Sequence, residues 1–200
     1  MRTGIAEWSW AERTAPGQAE SGDSHLVRPI DDGVLIAVMD GLGHGPEAAR
    51  ASRAAVSALS EFPPSASLSR MMGACHAALE CTRGATVSLA RFDARNAALA
   101  WLAVGNISGL LVRRTPVAGR RDESLLLSPG LVGEQLPRLR ESSLALARGD
   151  VLVLMTDGVD PHVGERLDTR RSPSEVAEDI MRHGARSHDD ALVVVARYMG

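Results

Sequence analysis

An aliphatic run from Val34 to Met39 stops abruptly at Asp40, and Gly41, Leu42, Gly43, His44, Gly45, Pro46 and Glu47 follow it. An unbroken apolar run behind the hairpin-type turn residues Asp31, Asp32 and Gly33 reads as a strand. Proline with an acid behind it suits the first turn of a helix. The pattern therefore delivers one carboxylate to the end of a strand. It returns where Val151 to Met155 lead into Thr156, Asp157 and Gly158, and again where His188, Asp189 and Asp190 precede the run Ala191 to Ala196. One Asp at such a place is commonly a turn or cap residue. Several brought together repel one another and raise each other's pKa unless a cation neutralises them, so the sequence predicts a hard divalent metal.

With 200 residues the chain can bury one proper core, and we expect a single domain over residues 1–200. Its formal charge of −3 arises from interspersed acids and bases, and its aromatic content is 3%. Neither a basic stripe nor a stacking platform is available, which argues against a nucleic-acid partner. No segment reaches the roughly 18 apolar residues of a membrane span, and the N-terminus has no signal-peptide pattern. A soluble, cytoplasmic protein is the expectation. Cys75 and Cys81 match neither a redox pair nor a zinc motif and are expected to be reduced, mostly buried thiols.

Along the chain, strands are expected over Ile5 to Trp10, His25 to Ile30 and up to Met39, then a helix from Pro46 to about Phe62, where Pro63 and Pro64 forbid continuation. A second helix from Leu68 to Glu80 sets Leu68, Met71, Met72, Cys75 and Leu79 on one face. A hairpin over Thr86 to Phe92 and Ala97 to Val104 follows, then strands at Ile107 to Val112, Leu125 to Leu127, Ser143 to Leu146 and Val151 to Thr156. The polar piece Pro161 to Ser172 reads as an exposed loop near the metal edge. Ser172 caps a helix that Pro173 opens and His183 closes, ahead of the last strand. Strands cluster instead of alternating strictly with helices, so the order favours an α+β sandwich of mainly antiparallel sheets with helices outside.

If three strand ends converge, Asp40, Asp157 and Asp189 can bind one ion, and Asp23 can serve a second that shares Asp40. Glycine at position 41 allows close approach and offers its carbonyl as a further ligand. All-oxygen donors suit Mg²⁺ or Mn²⁺ better than zinc. Two such ions can clamp a phosphate and ready a water for in-line attack on phosphorus. The rival reading of Gly41 to Gly45 is a dinucleotide-binding loop, with Glu61 as its ribose acid. It is disfavoured because Glu61 closes a helix and Asp40 would face the pyrophosphate with the wrong charge. His44 and His188 are read as polar loop residues, and whether Asp190 aids Asp189 or caps a turn stays open.

At these residues the chain resembles the metal-dependent serine/threonine phosphatases of the PP2C (PPM) family, in the bacterial branch of SpoIIE, RsbU and RsbX. The resemblance is carried by Ser21, Gly22 and Asp23, by Val38 to Gly45, by Gly105 and Asn106, by Arg148 to Asp150, by Thr156 to Gly158 and by Asp189 to Ala191. It implies two face-to-face antiparallel sheets flanked by helices. By the same resemblance Asp40, Asp157 and Asp189 hold one metal, while Asp23, Asp40 and the Gly41 carbonyl hold the other. No arginine here can be matched to the one that binds phosphate in eukaryotic members.

The resemblance further implies a phosphatase acting by two-metal activation of water, with Mn²⁺ or Mg²⁺ as cofactor. The chain's length is similar to that of the stand-alone, RsbX-type members. Their resemblance implies phosphoserine or phosphothreonine of stressosome STAS-domain proteins, of the RsbS and RsbR type, as substrate and partner. The alternatives are a phosphatase of an anti-anti-sigma factor, in the manner of RsbU and SpoIIE, a non-catalytic module that keeps the fold and binds a kinase or scaffold, and a hydrolase of small phosphoesters.

Overall fold

The computed structural model describes residues 1–117 and 119–200. Among the described residues ten strands form two antiparallel sheets. β1 (Ala6–Arg13), β10 (Ala191–Tyr198), β9 (Val151–Met155), β6 (Ser108–Val117) and β7 (Arg120–Ser124) make the first, in that spatial order. β2 (Asp23–Ile30), β3 (Gly33–Gly41), β4 (Ala85–Asp93), β5 (Ala98–Val104) and β8 (Ser142–Ala145) make the second. Helices α1 (Pro46–Glu61) and α2 (Leu68–Leu79) cover the outer face of the second sheet, and α3 (Pro173–Gly184) covers the first.

Period-two side-chain alternation in unbroken apolar strands explains the layering. In β3, Val34, Ile36 and Val38 enter the core between the sheets, while Leu35, Ala37 and Met39 enter the core beneath α1 and α2. In β10, Leu192, Val194 and Ala196 face inward, while Ala191, Val193 and Val195 pack under α3. A strand apolar on every residue thus needs a layer on both faces, and the outcome is helix, sheet, sheet, helix. The five residues singled out on α2 are all buried there.

Local signals set the helix ends. Ser172 and Glu175 form a reciprocal capping box at α3, with Pro173 at its first position. Val176, Ala177 and Ile180 then bury its inner face. Burial of side chains the size of Val and Ile contributes roughly 1.5–3 kcal/mol each. The longest helix has 16 residues, and none among the described residues is long and apolar enough to cross a membrane.

Three expectations need correction. The residues Leu125 to Leu127 are not a strand; β7 lies just before them, in the polar stretch Arg120–Ser124. β7 is the outer edge of its sheet, where apolar alternation is not required, whereas Leu126 and Leu127 are exposed beyond the ladder. The segment after Pro161 begins with a 3₁₀ turn (Pro161–Arg166) and then runs away from the Asp157 end, so that Arg197 near the far end of β10 donates to the Thr169 carbonyl at 3.0 Å. Only Cys75 of the two free thiols is buried; Cys81 is exposed at the end of α2.

Candidate metal centre

Antiparallel register places Asp23 of β2 directly opposite Asp40 of β3. Both share the face of Val38, so both carboxylates look into the gap between the sheets. Like charges directly opposite in a ladder are destabilising. From the other sheet, β9 ends at the same pole with Thr156 and Asp157, and β10 starts there with Asp189 and Asp190 just before it. The Thr156 hydroxyl bridges the sheets: it donates to Asp23 Oδ2 at 2.7 Å and accepts from the Leu192 amide at 2.9 Å.

The electrostatics show how close these acids stand. Burial, and then the neighbouring Asp23, Asp157, Asp189 and Asp190, push the Asp40 carboxyl up from 3.8 to about 8. Burial also raises Asp23 to about 7; the Thr156 bond opposes the rise, and Asp190, Asp157 and Asp189 add to it. Asp157 is raised by burial and by Asp189, while Arg186 and an Asn106 amide at 2.8 Å pull it back. Desolvated acids that raise one another in this way favour a cation among them.

The donor set fits a hard divalent cation. Asp23, Asp40, Asp157 and Asp189 are all oxygen donors from two sheets at one pole. Among the described residues no group of three or more His, Cys, Asp or Glu side chains is placed, as they stand, to hold a metal ion.

Asp190 has a different job. It is 3% exposed, and its two oxygens accept from the Ala15 amide at 2.7 Å and the Gly22 amide at 2.8 Å. It ties the β1–β2 loop, and with it Asp23, to the strand end that carries Asp189. His44 and His188 are exposed, as polar loop residues should be. Asp150, from the matched Arg148 to Asp150 motif, lies at the opposite pole, where it accepts from Arg113 at 2.9 Å and from the Arg114 and Ala147 amides.

Glycine at 41 answers to packing. A Cβ there would stand 2.1 Å from the Ala48 carbonyl oxygen in the first turn of α1, so the close approach is that of the helix. Gly158 is equally constrained, with its would-be Cβ 1.8 Å from the Asp190 carbonyl oxygen. Sequence reasoning missed Thr156, Asn106 and the bracing by Asp190. Thr156 alone carried a signal, since it is the one polar residue between an apolar strand and its terminal acid.

Two stacked antiparallel sheets with helices outside and acids gathered at one pole define a PP2C-type phosphatase domain. The family model for Stage II sporulation protein E (SpoIIE) matches residues 30–199, and the chain belongs to that family. Phosphoserine phosphatase RsbX of Bacillus subtilis (strain 168) is 25% identical over 182 residues, which cover 90% of this chain and 89% of that protein. A solved structure from work on the bacterial stressosome, a modular system adapted to control secondary messenger signalling, superposes with a TM-score of 0.86 and 29% identity. That match covers 96% of this chain and 99% of the other. RsbX in complex with magnesium shares the fold with a TM-score of 0.86 at 19% identity, over 99% of this chain and 98% of that one.

Proposed function

We propose that this protein is a Mn²⁺- or Mg²⁺-dependent phosphatase that removes phosphate from phosphoserine or phosphothreonine of STAS-domain proteins, in a stressosome or sigma-factor partner-switching module of the bacterial cytoplasm. The observation that carries the reading is the meeting of Asp23, Asp40, Asp157 and Asp189 at one pole, with Asp40 pushed up to about 8. The phosphoserine phosphatase RsbX, similar over most of the chain, supports the reaction, and the stressosome relative supports the setting.

Asp40, Asp157 and Asp189 are assigned to one ion, and Asp23, Asp40 and the Gly41 carbonyl to a second. Bound there, the ions supply a water nucleophile at neutral pH and neutralise charge on the phosphoryl oxygens. The chain's own residues keep the donors in place. Thr156 holds Asp23 at 2.7 Å, Asn106 holds one Asp157 oxygen at 2.8 Å, and Asp190 anchors the loop before Asp23. Leu42, 51% exposed beside the carboxylates, offers an apolar contact to a protein substrate. The whole of residues 1–200 is taken to act as one domain.

The direct experiment measures phosphate release from a phosphoserine-bearing STAS protein with Mn²⁺ and with excess EDTA. Release that disappears in EDTA and returns with Mn²⁺ is expected; release undiminished by EDTA contradicts the proposal.

A further inference from the structure

Thr86 sits beside this centre with a hydroxyl that nothing uses. Register pairs it with Asp40 across β3 and β4, so the two side chains share the face between the sheets. Its Oγ1 is buried and has no hydrogen-bond partner. Buried hydroxyls are nearly always bonded, and one left alone asks for a reason. On the β5 side the residue packs over Gly105, where a Cβ would stand 2.5 Å from the Thr86 methyl. The methyl branch is thus the one that packs against Gly105. Valine would fill the same volume on the same β-branched frame and leave no oxygen unbonded.

Resting on the reading that the four acids hold divalent cations, we propose that Thr86 is a positioning residue for Asp40. Its hydroxyl donates to the Asp40 carboxylate in the cation-loaded centre, fixing the orientation of the acid that both ions share. A ligating carboxylate needs such a bond because its remaining lone pairs would otherwise be buried bare. One rung deeper, Ser88 provides an internal comparison. Its hydroxyl is also buried and unpartnered, but it faces Val38, which has nothing to accept.

The test compares Thr86→Val, Thr86→Ser and Ser88→Ala with the wild type by calorimetric Mn²⁺ titration, and by melting temperature in EDTA. Thr86→Val is expected to melt in EDTA at the wild-type temperature or above, and to bind Mn²⁺ about 10–100-fold more weakly. Thr86→Ser restores the affinity, and Ser88→Ala leaves it unchanged. Wild-type affinity in Thr86→Val overturns the inference, as does loss of affinity in Thr86→Ser equal to that in Thr86→Val. A Thr86→Val protein destabilised in EDTA overturns it as well, because the hydroxyl would then already have a partner in the metal-free chain. If the wild type itself takes up no Mn²⁺, the metal reading fails and this inference falls with it; a wild type that binds while Thr86→Val binds equally sinks the inference alone.

Discussion

Replacing Asp40 by Asn removes a charge at almost constant volume, and in the metal-free protein that should stabilise the fold. Asp40 titrates near 3.8 when unperturbed and is raised to about 8 here, chiefly by burial and then by Asp23. A raised acid pKa means that the folded chain retains a proton the unfolded chain has released. Metal-free stability is therefore undiminished below the unfolded pKa and falls as pH climbs from there to the folded pKa. A shift of about four units at about 1.4 kcal/mol each sets a ceiling near 5–6 kcal/mol. Because Asp23 and Asp40 titrate as a pair, a working figure of about 3–5 kcal/mol is more apt. Urea denaturation in EDTA from pH 5 to pH 9 measures it. Asp40→Asn should exceed the wild type by that amount near pH 9, with the gap shrinking toward pH 5. Added Mn²⁺ should raise wild-type stability by about 2.7 kcal/mol at 100 times its apparent Kd and leave the variant flat. An Asp40→Asn protein less stable than the wild type in EDTA, or a gap that ignores pH, refutes the reasoning.

Thr156→Val strips one bond from Asp23 and one from the Leu192 amide; a loss of about 2 kcal/mol in urea denaturation is expected. Gly158→Ala drives a β-carbon to 1.8 Å from the Asp190 carbonyl oxygen. It should cost about 3 kcal/mol or more and sharply reduce phosphate release, since the strand ends bearing Asp157 and Asp189 are forced apart. Arg113→Ala leaves Asp150, 1% exposed, without its cation. A loss of about 3–5 kcal/mol should appear in denaturation while Mn²⁺ affinity stays at the wild-type value, because this pair lies at the far pole.

The layers were legible because β3, β9 and β10 each carry an unbroken apolar run, Val34 to Met39, Val151 to Met155 and Ala191 to Ala196, and such runs tolerate no solvent-facing side. The ends of β3 and β9 and the start of β10 were legible for the same reason: a carboxylate bounding an aliphatic run marks where the sheet meets water. Helix α3 announced itself through Ser172, Pro173 and Glu175, all local signals. What stayed hidden depends on partners distant in sequence. The register that sets Asp23 against Asp40 is a property of the folded hairpin. The bracing of Gly22 by Asp190 spans 168 positions. No pattern around Thr86 shows that its hydroxyl ends unbonded beside Asp40. β7 was misplaced because an edge strand carries charges where a buried one cannot.

The claim underlying all of this is that one pole of the sandwich binds divalent cations through acids from both sheets. Anomalous diffraction from a crystal soaked in Mn²⁺ tests it most directly. The account requires a peak about 2.1 Å from carboxylate oxygens of Asp40, Asp157 and Asp189, with Asp23 and the Gly41 carbonyl turned toward a second ion. No peak at this pole, or an ion held by Asp40 with Asp157 and Asp189 out of reach, contradicts it.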